Sequence, residues 1–163
     1  MKKVLGVVLV AAGAVLTTSA SAYDWKVMAG AACLPTSPSS APSYVKSSLG
    51  VLSSTATFGT ATFVCPVIRD SVRGTSGLAD IHVTVTDTGG GQAACNATSA
   101  DGSTGNLVAT SLGATSGTTF SGGAKLLNLS VSGSVDYGFY NINCNLDPST
   151  GIITYGWAEF DEM

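Results

Sequence analysis

Apolar and polar residues alternate one by one through much of the chain after residue 44, which is the pattern of half-buried β-strands. The clearest example is the run 80–87, where Ile81, Val83 and Val85 alternate with His82 and two threonines. We predict that the aliphatic side of this strand faces a core. The single histidine is then expected on a solvent-facing sheet surface.

Turns rich in glycine and serine interrupt this pattern at short intervals, and no convincing amphipathic helix appears. Eight or nine strands with such spacing favour an all-β fold, a single antiparallel β-sandwich of jelly-roll or immunoglobulin-like type. The predicted strands are residues 45–53, 57–68, 80–87, 91–97, 106–112, 117–121, 124–132, 136–146 and 151–160.

The N-terminal part of the chain divides into two segments that precede this sandwich domain, which we assign to residues 44–163. Residues 1–22 have the three parts of an export signal: two lysines, the apolar run 4–16 and a small-residue cleavage pattern. Residues 23–43 are predicted to form an arm, irregular over its Ser/Pro-rich part because prolines cannot pair within a central strand.

The export signal predicts a secreted, periplasmic or cell-surface protein, and its short two-lysine start is typical of bacteria. Its apolar run is shorter than the roughly 20 residues that a membrane-spanning helix needs. Cleavage removes two of the seven basic residues and none of the ten acidic ones, so the formal charge changes from −3 to −5. This balance disfavours nucleic acid as a partner, because nucleic acid is held mainly by clustered Lys and Arg.

The chain has four cysteines, Cys33, Cys65, Cys95 and Cys144, and none of their spacings is the CxxC pattern of redox or zinc sites. Because exported cysteines meet an oxidising environment, we predict two structural disulfides. Both Cys65 and Cys144 fall on the apolar side of alternating runs. We favour the pairs Cys33–Cys65 and Cys95–Cys144, with Cys65–Cys144, a link between facing sheets, as the alternative.

The sequence predicts no catalytic residue, no cofactor and no metal site. His82 lies in the middle of a predicted strand, and the chain contains no nucleophile elbow. The sequence therefore does not predict a serine triad. Glu159 and two following acids are too near a fraying C-terminus to suggest paired catalytic carboxylates. Asp87 and the loop that begins at Asp101 offer oxygen ligands, but they lack the spacing of a calcium loop, so turns are favoured.

Aromatic residues provide the better candidates for binding. Tyr155 and Trp157 share one side of the last predicted strand and are expected in the core. The preferred ligand surface is the side of the late strand that begins with aromatic residues and continues with amides. Its members are Tyr137, Phe139, Asn141 and Asn143.

Several segments resemble a group of small exported bacterial proteins that carry no established activity. They are the Cys-Pro-Val-x-Arg-Asp motif at 65–70, the strand 80–87, the run 140–146 around Cys144, and residues 151–155. The resemblance covers most of the chain after the signal. It implies structural features and transfers no catalytic residue.

Three functional hypotheses follow. The first is a noncatalytic structural or interaction protein that self-associates or engages an envelope or extracellular partner, since strand edges with few lysines are poorly protected against pairing. The second is a secreted module that binds a carbohydrate or a protein. A hydrolase is a distant third.

Overall fold

The computed structural model describes residues 23–36, 44–69, 80–110, 114–115, 123–129, 131 and 138–160. These residues form antiparallel strands in two sheets, which confirms the predicted all-β fold. The predicted signal segment 1–22, the predicted strand 117–121 and Tyr137 lie outside the described residues.

Twelve strands occur within the described residues, and the helical structure found there is one 3-10 turn, Gly30–Ala32. The strands are β1 (Tyr23–Ala29), β2 (Leu34–Pro35), β3 (Tyr44–Lys46), β4 (Leu52–Ser54), β5 (Ala61–Val67), β6 (Asp80–Asp87), β7 (Ala93–Ala100), β8 (Leu107–Thr110), β9 (Ala114–Thr115), β10 (Ala124–Leu129), β11 (Phe139–Leu146) and β12 (Thr150–Phe160).

Each sheet contains six of these strands. Sheet A has the order β10-β6-β12-β4-β3, and β1 also pairs with β12. Strand β12 is long enough to pair with β4 near its start and with β1 along the rest of its length. Sheet B has the order β2-β5-β11-β7-β8, with β9 also on β7.

The inner faces of the two sheets supply the core, as the alternation predicted. Phe63 and Tyr140 of sheet B and Tyr155 and Trp157 of sheet A are among its largest fully buried side chains. The Tyr155 hydroxyl donates a hydrogen bond to the Pro66 carbonyl, at 3.1 Å, and so links the two sheets. Burial of this hydroxyl raises the pKa of Tyr155 to about 12.

The two favoured disulfides, Cys33–Cys65 and Cys95–Cys144, are both formed, so the alternative pairing Cys65–Cys144 is wrong. Cys95 and Cys144 lie directly opposite each other on β7 and β11. Cys33 immediately precedes β2, which pairs with β5 beside Cys65. One disulfide therefore joins β7 to β11, and the other joins the residue before β2 to β5, all within sheet B.

The structure changes three details of the predicted strands. Residues 23–29 and 34–35, assigned to the arm, form β1 and β2. The predicted strand 45–53 is two short strands joined by a turn at Gly50, whose φ is +81°. A shift in the register of β12 between Ile152 and Thr154 places Ile152 in the core. Strict alternation from Tyr155 and Trp157 would place Ile153 in the core instead, but a β-bulge changes which residues face inward.

Strand β1 lies in the predicted arm, and its exposed large apolar residues, Trp25 and Val27, face outward. Trp25 is 49% exposed and Val27 is 68% exposed, whereas Lys26 and Met28, on the other side of the strand, are half-buried. Hydrophobic periodicity assigns the apolar side of a strand to the core. For β1, this rule would have placed Trp25 and Val27 in the core and Lys26 and Met28 on the surface, which is the opposite of their positions in the structure.

Candidate functional site

The predicted ligand residues of β11 lie together on the outer face of sheet B. Phe139 is 47% exposed, and Asn141 and Asn143 are half-buried on the same side of the strand. Asn145, which the sequence analysis did not include, is exposed and continues the series. At about 3.4 Å per residue, the face from Phe139 to Asn145 extends over about 20 Å.

The neighbouring strands surround these amides with uncharged groups. Asn143 lies opposite Asn96 on β7 and Val64 on β5. Its Nδ2 donates a hydrogen bond to Thr98 Oγ1 at 3.4 Å, and Thr98 is the residue opposite Asn141. Amides and hydroxyls can each donate and accept hydrogen bonds, so this surface can match a ligand that carries many hydroxyl groups.

A polar groove of about 370 Å³ lies where the amide series of β11 ends. Thr62 Oγ1 donates a hydrogen bond to Asn145 Oδ1 at 2.9 Å, which orients the last amide. The groove is lined by Thr60, Thr62, Gln92, Ala94, Asn145 and Asp147.

Asp147 is the single carboxylate in this lining. Its Oδ1 accepts a hydrogen bond from Thr60 Oγ1 at 3.0 Å, and its Oδ2 accepts one from the Gln92 N–H at 3.1 Å. Hydrogen bonds to both oxygens therefore fix the orientation of the carboxylate.

The opposite end of this face is apolar. Phe139 and Leu107 both pair with Ala100, so the three residues form one row across sheet B. Ile68, the residue after the end of β5, is also exposed. The outer face of sheet B thus changes from an apolar row to amides and hydroxyls, and then to the groove.

The groove could not be found from local sequence patterns. Its lining comes from the start of β5, the start of β7 and the end of β11, which pairing brings together from positions far apart in the chain. The one available signal was Asn145, which continues the alternate-position series of Asn141 and Asn143.

The two loop aspartates act as turn caps. Asp87 is buried, and its Oδ1 accepts hydrogen bonds from the N–H groups of Gly89 and Gly90. Asp101 Oδ1 accepts hydrogen bonds from the hydroxyl and N–H of Ser103, which hold the pKa of Asp101 below its ordinary value. Within the described ranges, no three His, Cys, Asp or Glu residues are grouped to hold a metal ion.

His82 lies on the outer face of sheet A, the side that the sequence predicted. It is half-buried there, and its ring centroid lies 4.9 Å from that of Trp25 on β1. Gly156 pairs with both His82 and Val27, so a residue without a side chain separates β1 from β6 on this surface.

Glu159 departs from the expectation of a frayed terminus, because it lies within β12 with its side chain 7% exposed. Lys26 Nζ lies 2.9 Å from Glu159 Oε2, and Arg69 Nε lies 3.9 Å from Oε1. The Arg69 guanidinium also lies over the Tyr140 ring, at 5.2 Å from its centroid. These side chains form an ionic cluster between the two sheets. The two acids that follow Glu159 lie outside the described residues.

No protein-family model matches the chain, and no curated protein matches it. Within the described part of the chain, no helix is long and apolar enough to cross a membrane.

Proposed function

We propose that the chain is an exported, noncatalytic interaction protein that binds a saccharide on the outer face of sheet B. The observation that carries this proposal is the series Asn141, Asn143 and Asn145, which extends from exposed Phe139 to the polar groove. Amides hydrogen-bond to sugar hydroxyls through both their N–H and carbonyl groups. An exposed aromatic ring offers an apolar surface for the C–H face of a sugar.

Export is part of the proposal and is supported by independent features. The N-terminal residues have the composition of a bacterial signal segment, and the resemblance to small exported bacterial proteins agrees with that origin. Two disulfides fit an oxidising compartment such as the periplasm, the cell surface or the medium. The negative charge of the exported chain favours neutral or basic partners over nucleic acid.

A noncatalytic role fits the groove better than hydrolysis does. Glycoside hydrolases generally place two carboxyl groups on either side of the scissile bond, about 5–10 Å apart. Asp147 is the single carboxylate among the lining residues, and the other polar side chains of the groove are hydroxyls and amides. The groove therefore has the hydrogen-bonding groups for recognition without the paired acids for cleavage.

The test is to screen the oxidised protein against an array of neutral, amino and acidic oligosaccharides, and then to measure affinities by calorimetry. Replacing Asn141 and Asn143 together by alanine should weaken binding at least tenfold, because each loses hydrogen bonds worth about 1 kcal/mol. Asn128→Ala, on the outer face of sheet A, is the matched control and should bind normally. Failure of every glycan to bind would overturn the proposal.

Self-association is the second candidate function, and the edge of sheet B favours it. Leu107 and Val108 are consecutive residues of β8 and point to opposite sides of the strand, yet they are 65% and 42% exposed. No residue of β8 carries a charge. Uncharged, apolar strand edges are prone to pair with another chain.

Light scattering after size-exclusion chromatography, with negative-stain microscopy, tests this second candidate over a range of concentrations. Self-association predicts oligomers or filaments that Val108→Lys disperses, since a charge on a strand edge opposes pairing. A strict monomer at every concentration would remove this candidate and leave the saccharide proposal unaffected.

A further inference from the structure

We propose that the groove at the end of sheet B binds a primary ammonium group, and that the ligand is a saccharide with free amino groups. This inference rests on the proposed function and names the chemical class of its ligand. The groove contains one carboxylate, Asp147, among neutral hydroxyl and amide groups.

The Asp147 carboxylate is positioned before a ligand arrives. Thr60 Oγ1 donates a hydrogen bond to one oxygen and the Gln92 N–H donates to the other. Each carboxylate oxygen can accept about two hydrogen bonds, so each keeps accepting capacity for a ligand. A carboxylate held in this way loses little conformational freedom on binding, which favours affinity.

The charge of Asp147 is available to a ligand. Among the described residues, no Lys or Arg forms an ion pair with it; the ion pairs found there involve Glu159, at the cluster between the sheets. A hydrogen bond between an ammonium and a carboxylate is roughly twice as strong as one between neutral groups. An ammonium also has three donors and no acceptor, which suits a groove with several acceptor oxygens.

The loop that follows Asp87 packs against the segment after Asp147. The Thr88 N–H donates to the Ser149 carbonyl at 3.0 Å, and a Cβ on Gly91 would lie only 2.6 Å from the Pro148 carbonyl oxygen. These close approaches bring the loop that begins at buried Asp87 against the segment after Asp147. Since the groove lining contains the Asp147 carboxylate and no basic residue, it disfavours an anionic sugar such as a uronic acid.

The amino group is expected at one end of an extended ligand. The amides of β11 would bind the neutral hydroxyls of the chain, and the groove beyond Asn145 would take the charged group. Affinity should then depend on both the length of the oligosaccharide and the presence of a free amine.

The experiment compares two β-1,4-linked hexasaccharides, N-acetylglucosamine and its fully de-N-acetylated form, by calorimetry at pH 6. The amino form should bind about tenfold more tightly at low salt, and this advantage should shrink in 0.5 M NaCl because salt screens the charge. Asp147→Asn should abolish the advantage, so that the two forms bind with similar affinity. Asp101→Asn, in an exposed loop outside the groove lining, is the matched control and should retain it.

The outcomes separate the two proposals. Equal binding of both hexasaccharides, or an amine preference that Asp147→Asn retains, would overturn the ammonium site and keep the saccharide function. Binding of neither sugar would overturn the ammonium site, whereas the saccharide function is overturned only if every glycan of the array also fails to bind. Tight binding of a lysine hexapeptide in place of the amino sugar would overturn the assignment of the ligand as a saccharide. The salt dependence of the native protein tests the inference even if the Asp147 variant does not fold.

Discussion

The outer faces of the two sheets differ in chemistry, although the same alternation produces both. The outer face of sheet A exposes Trp25, Val27 and Leu126, and its one histidine packs against Trp25. The outer face of sheet B carries a row of asparagines and a groove with a positioned carboxylate. Both disulfides belong to sheet B.

This difference suggests why sheet B is the better candidate for recognition. A disulfide joins β11 to β7, and another joins the segment before β2 to β5, so covalent bonds hold the strands that carry the amides. Within sheet A, backbone hydrogen bonds and the Lys26–Glu159 ion pair hold β1 to β12. Rigid polar groups lose less conformational entropy when a ligand binds.

The largest effect is expected when sheet B loses a disulfide. Replacing Cys95 and Cys144 by alanine should lower the free energy of unfolding by about 4 kcal/mol, since the bridge spans 49 residues and restricts the unfolded chain. Urea unfolding measures the loss, and hydrogen exchange should accelerate first in β7 and β11. A loss below about 1 kcal/mol would contradict the role of the bridge in stabilising sheet B.

Gly156→Ala should weaken sheet A instead. A Cβ at this position would lie 2.6 Å from the Lys26 carbonyl oxygen, so β1 must shift away from β12. We expect a loss of about 1–3 kcal/mol in thermal unfolding and a change in Trp25 fluorescence, with saccharide binding retained.

Thr154→Ala, two residues away on the outer face of the same strand, is the control for Gly156→Ala and should cost under about 0.5 kcal/mol. Loss of saccharide binding in folded Gly156→Ala would contradict the assignment of the site to sheet B.

The hydrogen bond from the Tyr155 hydroxyl to the Pro66 carbonyl, which links the two sheets, should stabilise the protein less at alkaline pH. The pKa of Tyr155 is about 12 in the folded protein and 10.0 in the unfolded chain, so the unfolded state loses its proton first. The stabilisation is therefore complete below pH 10 and declines between pH 10 and 12, by about 3 kcal/mol.

Stopped-flow unfolding across this pH range measures the alkaline decline before chemical damage to the disulfides. Tyr155→Phe should unfold with a weaker pH dependence above pH 10, because it lacks the hydroxyl. The decline that remains should come in part from Tyr140, whose pKa burial also raises. An identical pH dependence in Tyr155→Phe would contradict this assignment.

The sequence was informative where one side of a strand is buried and the other is wet. That condition holds in β6 and β11, and it placed Cys144, Asn141 and Asn143 on their correct sides. It fails in β1, where Trp25 and Val27 face solvent. Alternation placed Cys65 and Cys144 on the apolar sides of their strands but left the pairing Cys65–Cys144 open, and the register of β7 against β11 decides between the alternatives.

The alternation of apolar and polar residues could not predict the groove. Thr60, Gln92 and Asp147 become neighbours only through the pairing of β5, β11 and β7, which are far apart in the chain. Single-residue patterns report which side of a strand is buried. They do not report which strand ends meet, so the site residues outside β11 could be identified only from the structure.

The most direct test of the saccharide site is a ¹H–¹⁵N NMR titration of the oxidised protein with the de-N-acetylated glucosamine hexasaccharide. Binding on sheet B predicts saturable shifts in the backbone and side-chain amides of Asn141, Asn143 and Asn145 and in the Gln92 N–H, with Trp25 and His82 unchanged. Shifts confined to the Trp25 face of sheet A, or no shifts at millimolar ligand, would contradict it.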